Sequence, residues 1–212
     1  MSQAPVHHTI EEIVGSPHSA LLVIDVQRDL CPPEYVPIYP RLRKVIDTAR
    51  DAGVFVVYVQ NIVLSEGASQ SNSERSRRTH LGMRHEYTLD GTPGAEFVDQ
   101  IAPAKRDPIV RKHRLNAFEG TDLNLILRAR GIETIICTGV ATHGCVISTS
   151  YAAVALDYYV VVVSDCVASW KQDLHEASLL VMRNTMHRVV ESDELISVWQ
   201  SRNTSRVAAV RS

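Results

Sequence analysis

Six short apolar runs, each broken off by polar residues and separated by stretches of helical spacing, constrain this chain more than any other feature. They fall at residues 20–24 (ALLVI), 54–59 (VFVVYV), 108–111 (PIVR), 134–137 (TIIC), 158–163 (YYVVVV) and 187–190 (HRVV). The longest lack the alternation of a strand with one wet face, so they read as parallel strands buried on both sides; 187–190 reads as an edge strand. Residues 37–51 space Ile38, Leu42, Val45, Ile46 and Ala49 along one helical face, with Gly53 as the stop. Helices also fit 95–101, 123–130 (capped by Thr121 and Asp122, closed by Gly131), the alanine-rich stretch from Cys145, 174–186, and 192–200 with Trp199 inward. Strands alternating with helices predict an α/β fold, a three-layer α/β/α sandwich around a six-stranded, mostly parallel sheet. The 212-residue length suits one core over 19–200. Residues 1–18 read as a loosely ordered or peripheral arm closed by Pro17. Residues 201–212 read as a basic, unpatterned tail, either loose or clasping a neighbouring subunit.

Residues 133–156 (ETIICTGVATHGCVISTSYAAVAL) combine a buried strand, a turn of small residues and a helix beginning at Cys145. A thiol there sits at the carboxyl edge of the sheet, where open α/β folds bind ligands, and at a helix start that favours a thiolate. The first strand ends in Asp25. This residue is either a turn aspartate capping the next element or a partly desolvated functional carboxylate; its place directly after a wholly apolar run favours the second. The third strand delivers Lys112. One carboxylate, one ammonium and one thiol at three strand ends make a coherent set. Asp25 would move protons, Lys112 would hold negative charge, Cys145 would attack a carbonyl, and N–H groups at Ala141 and Cys145 would hold the oxyanion. Cys137 and Cys166 read as core residues and Cys31 as core or pocket.

Residues 65–94 are polar, glycine-punctuated and rich in arginine, either a solvated loop or a lid that contacts substrate. Arg78, Arg84, His85 and Tyr87 are its candidates for contact. Elsewhere, Asn61, Asn116 and Phe118 could line a pocket, and Gln27 either binds substrate or braces Asp25. His143 in its tight turn points away from the chemistry, and His113 alternates to the far side of the strand end. A formal charge of -2 offers no general attraction to nucleic acid or an anionic membrane. No apolar run reaches the ~18 residues of a membrane span. The N-terminus lacks the basic and apolar regions of a signal peptide, and the four cysteines form no pairing pattern, so a reduced, cytoplasmic setting is expected.

The chain resembles the isochorismatase-like cysteine hydrolases, which include nicotinamidases, N-carbamoylsarcosine amidase, biuret hydrolase and ureidoacrylate amidohydrolase. The resemblance spans about 19–200 and rests on LLVIDVQRDL (21–30), GTPGAEF (91–97), IVRKHRLNAFEGTDL (109–123), RGIETIICTGVATHGCV (130–146) and VVVVSDCVAS (160–169). It implies a catalytic Asp25, Lys112 and Cys145, a cis peptide between Val140 and Ala141 that turns the Ala141 N–H toward an oxyanion, and a homo-oligomer, dimer or tetramer. Metal-dependent nicotinamidases carry an Asp-x-His after the second strand, where this chain reads Gln60-Asn61-Ile62-Val63, so no metal and no cofactor is expected. Isochorismatases have glycine in place of the nucleophile, so Cys145 points to a small amide, ureide or carbamoyl substrate. Three readings stand. The first is a metal-free cysteine amidohydrolase working through a thioester. The second is a vinyl-ether hydrolase of the isochorismatase type, and the third a member of the fold that only binds ligand.

Overall fold

The computed structural model describes residues 6–15 and 18–210; Pro17, expected to close the arm, lies outside them. The apolar runs form β1 (Ser19–Ile24), β2 (Phe55–Asn61), β3 (Ile109–Lys112), β4 (Thr134–Val140), β5 (Tyr159–Ala168) and β6 (Arg188–Val190). They make one sheet in the order β3-β2-β1-β4-β5-β6, parallel at every pairing. All of β1 is buried. At about 1.5–3 kcal/mol for each fully buried Leu, Ile or Val, a strand such as ALLVI is most stable in the sheet centre, covered on both faces.

The helices divide between those faces. Leu21, Val23 and Ile136 pack with α1 (Ile10–Ile13), α2 (Tyr39–Asp51) and α7 (Ser192–Val210). Leu22, Ile24, Ile135 and Cys137 pack with α4 (Leu123–Ala129), α5 (Ile147–Ala155) and α6 (Gln172–Thr185). The expected three layers result. Between β2 and β3 the chain adds α3 (Asn72–His80).

Four expectations are corrected. The described part of the N-terminal arm is docked rather than loose. Thr9 and Glu12 form a capping box on α1, Ile13 and Val14 are buried, and Trp199 Nε1 donates to the Val14 carbonyl at 3.2 Å. The segment 65–94 contains a helix, although α3 has no apolar stripe and buries only Arg78. Residues 95–101 form two single 3₁₀ turns, Pro93–Ala95 and Asp99–Ile101, instead of one helix. Helix α7 runs on to Val210, so most of the expected tail is helical.

From β1 the chain builds outward through β2 to β3, then returns to lay β4 on the other side of β1. That reversal opens a crevice at the carboxyl ends of β1 and β4, where Asp25 and the turn to Cys145 emerge. Gly139 lets the two strands close up there. Its φ is +103°, and a Cβ would lie 2.0 Å from the Ile24 carbonyl oxygen.

Candidate active site

Asp25 follows the last residue of β1 with φ 55°, a left-handed conformation that aspartate tolerates better than branched residues. Its own N–H donates to Val59 O and its carbonyl accepts from Gln27 N, which locks the turn. Lys112 ends β3, in register with Asn61 of β2, so its stem must pass the end of β2 to reach β1. It does so fully buried. Nζ lies 2.8 Å from Asp25 Oδ2, 3.2 Å from Cys145 Sγ and 2.9 Å from the Arg114 carbonyl. The Cys145 thiol and the Asp25 carboxylate are close enough to shift each other's titration, while, apart from the ion pair with Lys112, neither Asp25 oxygen has a hydrogen-bond partner among the described residues. The three residues inferred from three strand ends therefore meet at one point.

The route to Cys145 differs from expectation. The Val140–Ala141 peptide is cis, as the resemblance implied. Cys145 then lies inside a π-helical turn, Thr142–Val146, and α5 begins only at Ile147. The Ala141 carbonyl accepts from both Gly144 N and Val146 N, which folds the turn tightly over the strand end. Burial, reinforced by the adjacent Asp25 carboxylate, pushes the Cys145 thiol up to about 12, with Lys112 pulling the other way. Burial thus works against the thiolate that the helix start was expected to favour. Burial likewise raises Asp25 above the ordinary carboxyl range against the pull of Lys112. Burial works against the Lys112 ammonium too, but Asp25 and Cys145 outweigh it and keep the ammonium charged. A raised carboxylate beside a thiol is a stronger base than a free one, and a fixed cation between them offsets charge wherever the proton sits.

These groups open into a small cavity of about 60 Å³, whose lining includes Asp25, Asn61, Tyr87, Ala141 and Cys145. That size suits a small molecule and not a polymer strand. A larger cleft of about 480 Å³ lies at the amino ends of the strands, among Arg50, Phe55 and Arg130, and contains no cysteine or histidine. It is not a candidate for this chemistry.

The other candidates divide. Asn61 lines the cavity, its Nδ2 donating to Thr88 Oγ1 at 3.0 Å. Tyr87 lines it with the Arg78 guanidinium 4.6 Å above its ring. Gln27 is fully buried and spent on backbone: Nε2 donates to Asn61 O and Ala95 O, and Oε1 accepts from Asn61 N. It braces the strand ends and is not positioned as a substrate contact. Arg84 is exposed and pairs with Asp29 at 3.5 Å, outside the cavity lining. Asn116 is also outside; its Oδ1 caps Phe118 N, and Phe118 stacks on Tyr158. His143 points away, Nδ1 to Ser169 Oγ at 2.7 Å, as expected. His113, expected on the far side, instead lines the cavity with Nδ1 2.7 Å from the Ile62 carbonyl. The sequence reading missed Glu74, Arg77, Met83, Arg114, Leu115 and Trp170, all of which also line it. Among the described residues no group of three His, Cys, Asp or Glu side chains is placed to hold a metal ion. No helix among them is long and apolar enough to cross a membrane.

Comparison with known proteins places the fold. The isochorismatase domain model matches residues 19–194. A probable inactive nicotinamidase of Arabidopsis thaliana is 32% identical over 183 residues, covering 79% of this chain and 89% of its own. A ureidoacrylate amidohydrolase of an Enterobacter species is 32% identical over 179 residues, covering 73% and 77%. The crystal structure of a cysteine hydrolase from Pseudomonas syringae superposes with a TM-score of 0.77 at 26% identity, covering 87% of this chain and 93% of that one.

Proposed function

The chain belongs to the isochorismatase family, and from that premise we propose that it is a metal-free cysteine amidohydrolase acting on a small amide, ureide or carbamoyl compound. It is a hydrolase of carbon–nitrogen bonds other than peptide bonds, with its catalytic domain over 19–200. One observation carries the reading: a buried ammonium 2.8 Å from a carboxylate and 3.2 Å from a thiol, with the carboxylate and the thiol lining a small cavity.

Asp25 takes the thiol proton as Cys145 Sγ bonds to the substrate carbonyl carbon, and the carbonyl π electrons move to oxygen. The oxyanion sits against the N–H groups of Ala141 and Cys145. Asp25 then gives its proton to the leaving nitrogen, the C–N bond breaks, and ammonia or an amine departs from a thioester. Water attacks the thioester carbonyl while Asp25 accepts its proton, and Cys145 leaves as a thiolate that regains the proton. Lys112 stays charged throughout and offsets the negative charge as it moves between carboxylate and sulfur. The cytoplasmic setting and a homo-oligomer, dimer or tetramer, belong to the same proposal; light scattering of the purified chain reads the assembly.

The test is ammonia or amine release from a panel of small amides and ureides by wild type and Cys145→Ala, with a chelator present and intact mass recorded during turnover. Chelator-resistant release, lost in the variant and accompanied by a covalent adduct on wild type, supports the reading. Turnover of a vinyl ether by both proteins replaces it with the isochorismatase-type reaction. Binding without turnover of any compound favours the non-catalytic reading, toward which the name of the Arabidopsis relative leans.

A further inference from the structure

The π-helical turn that carries Cys145 is held at its two ends by different parts of the molecule. Within the turn the backbone bonds to itself: Ala141 O accepts from Gly144 N and Val146 N, and Ile147 N donates to Thr142 O. Those bonds fix its shape but not its place over the site. At the Cys145 end the place is set by Lys112, whose Nζ meets Sγ at 3.2 Å. At the Ala141 end it is set from outside the cavity, by the connection from β5 to α6 and by the first turn of α6. Ser169 Oγ accepts from His143 N at 3.3 Å and lies 2.7 Å from His143 Nδ1. His175 Nδ1 lies 2.9 Å from Thr142 Oγ1.

Thr142 has no exposed surface, and its hydroxyl has no partner besides His175 among the described residues. A buried hydroxyl held by one bond is left wholly unsatisfied when that bond is lost. His175 is half-buried, while Gln172, Asp173 and Leu174 before it are exposed, so it is the residue that this turn of α6 directs inward. Burial pushes its ring below the ordinary histidine range, against Glu176 and with Arg183, and the ring is therefore neutral at pH 7. Neither Thr142 nor His175 lines the cavity. Any influence of His175 on the chemistry has to pass through Thr142, and Thr142 is joined directly to Ala141.

We infer that His175 is a positioning residue for the reaction: through the Thr142 hydroxyl it holds the Ala141 N–H where the oxyanion forms, while Lys112 holds the sulfur independently. This rests on the amidohydrolase reading and adds to it a side chain from a helix outside the site.

Two reagents separate the two holds. p-Nitrophenyl acetate acylates a thiol through a tetrahedral oxyanion: Sγ bonds to the carbonyl carbon, the thiol proton passes to Asp25, and p-nitrophenolate leaves. Iodoacetamide alkylates the same thiol by displacing iodide, and no oxyanion forms. Wild type should release p-nitrophenolate and carry an acetyl adduct by intact mass, and Cys145→Ala should do neither. His175→Ala should slow the first turnover about ten- to a hundredfold, the scale of a misplaced oxyanion donor, and change the alkylation rate by less than about threefold. His175→Asn, which presents a neutral amide where the imidazole Nδ1 stood, should recover most of the lost rate. Thr142→Val should match His175→Ala, and the double variant should be no slower than either alone. Equal slowing toward both reagents, or an unslowed acylation in His175→Ala, overturns the inference. So does a double variant slowed by the product of the two single effects, or an Asn variant no faster than the Ala variant. A wild type that shows no Cys145-dependent release overturns the acyl-transfer reading beneath it.

Discussion

Replacing Lys112 with methionine keeps the volume of the side chain and removes its charge. Asp25, with no exposed surface of its own, is then left without its counter-ion at 2.8 Å. The protein has two ways to meet that loss. Keeping the carboxylate ionised and unpaired costs about 3–5 kcal/mol. Protonating it costs about 1.4 kcal/mol for each pH unit above the ordinary aspartate value of about 3.9, hence roughly 1.5 kcal/mol at pH 5 and roughly 4.2 at pH 7. Protonation is the cheaper route in acid, and the two costs meet near neutrality. In the variant, therefore, the folded protein keeps a proton that the unfolded chain has already lost, and stability falls as pH rises. Wild type shows the same sign in weaker form, because burial raises Asp25 there against the opposing pull of Lys112. Urea denaturation from pH 5 to 7 should show the deficit of Lys112→Met relative to wild type growing by up to about 2.7 kcal/mol. The double variant Asp25→Asn/Lys112→Met should lose that growth, and both variants should be inactive. A deficit that does not change with pH, or one that grows equally in the double variant, would refute the pairing of these two groups as the source of the effect.

Other perturbations read other parts of the structure. With its thiol pushed up to about 12, Cys145 should react with a neutral haloacetamide at a rate that rises about tenfold per pH unit from 7 to 9; a plateau in that range would mean a preformed thiolate. Gly139→Ala places a Cβ on the Ile24 carbonyl at a φ of +103°, and should cost at least about 1–3 kcal/mol from backbone conformation alone, more from the clash, by urea titration. Trp199→Ala should cost about 3–5 kcal/mol, and limited proteolysis should then cut first near Ile13 and Val14, because the indole N–H holds the Val14 carbonyl. Unchanged cleavage there would detach the N-terminal segment from Trp199.

The sheet was legible because β1, β2, β4 and β5 each contain an unbroken apolar stretch (20–24, 56–59, 135–137 and 160–163) that is buried throughout, with the polar residues falling outside it. The helices α2 and α6 were legible for a related reason, a dry stripe at helical spacing. Helix α3 lacks that stripe. Its turns are held by Ser71 capping Glu74 N and by Glu74 bonded to Arg77 and Arg78, interactions that polar loops also contain. Without the helix, nothing distinguished Arg77 from Arg84, since only a turn of helix sets Glu74, Arg77 and Arg78 together and turns Arg84 out to Asp29. The catalytic candidates needed no such register. Asp25 and Lys112 sit at the ends of strands whose alignment the apolar runs fixed, and Cys145 follows β4 after one short turn. His113 was misplaced because the chain bends after Lys112: alternation applies within a strand and stops with it.

The segment from 65 to 94 largely braces itself. Leu64 N is held by Ser69 Oγ, Gln70 reaches the His85 carbonyl at 2.6 Å, Thr79 meets the His85 ring, and Arg78 spans to the Arg84 and His85 carbonyls. It is tied to the scaffold mainly around Thr88: Asp29 accepts from Thr88 N, Asn61 donates to the Thr88 hydroxyl, and Val63 N and O pair with Thr88 O and Asp90 N. The groups proposed to break bonds sit elsewhere, on the ends of the strands. Selection can therefore revise what the enzyme accepts without disturbing how it reacts, and an engineer can do the same by exchanging this one segment as a cassette between relatives.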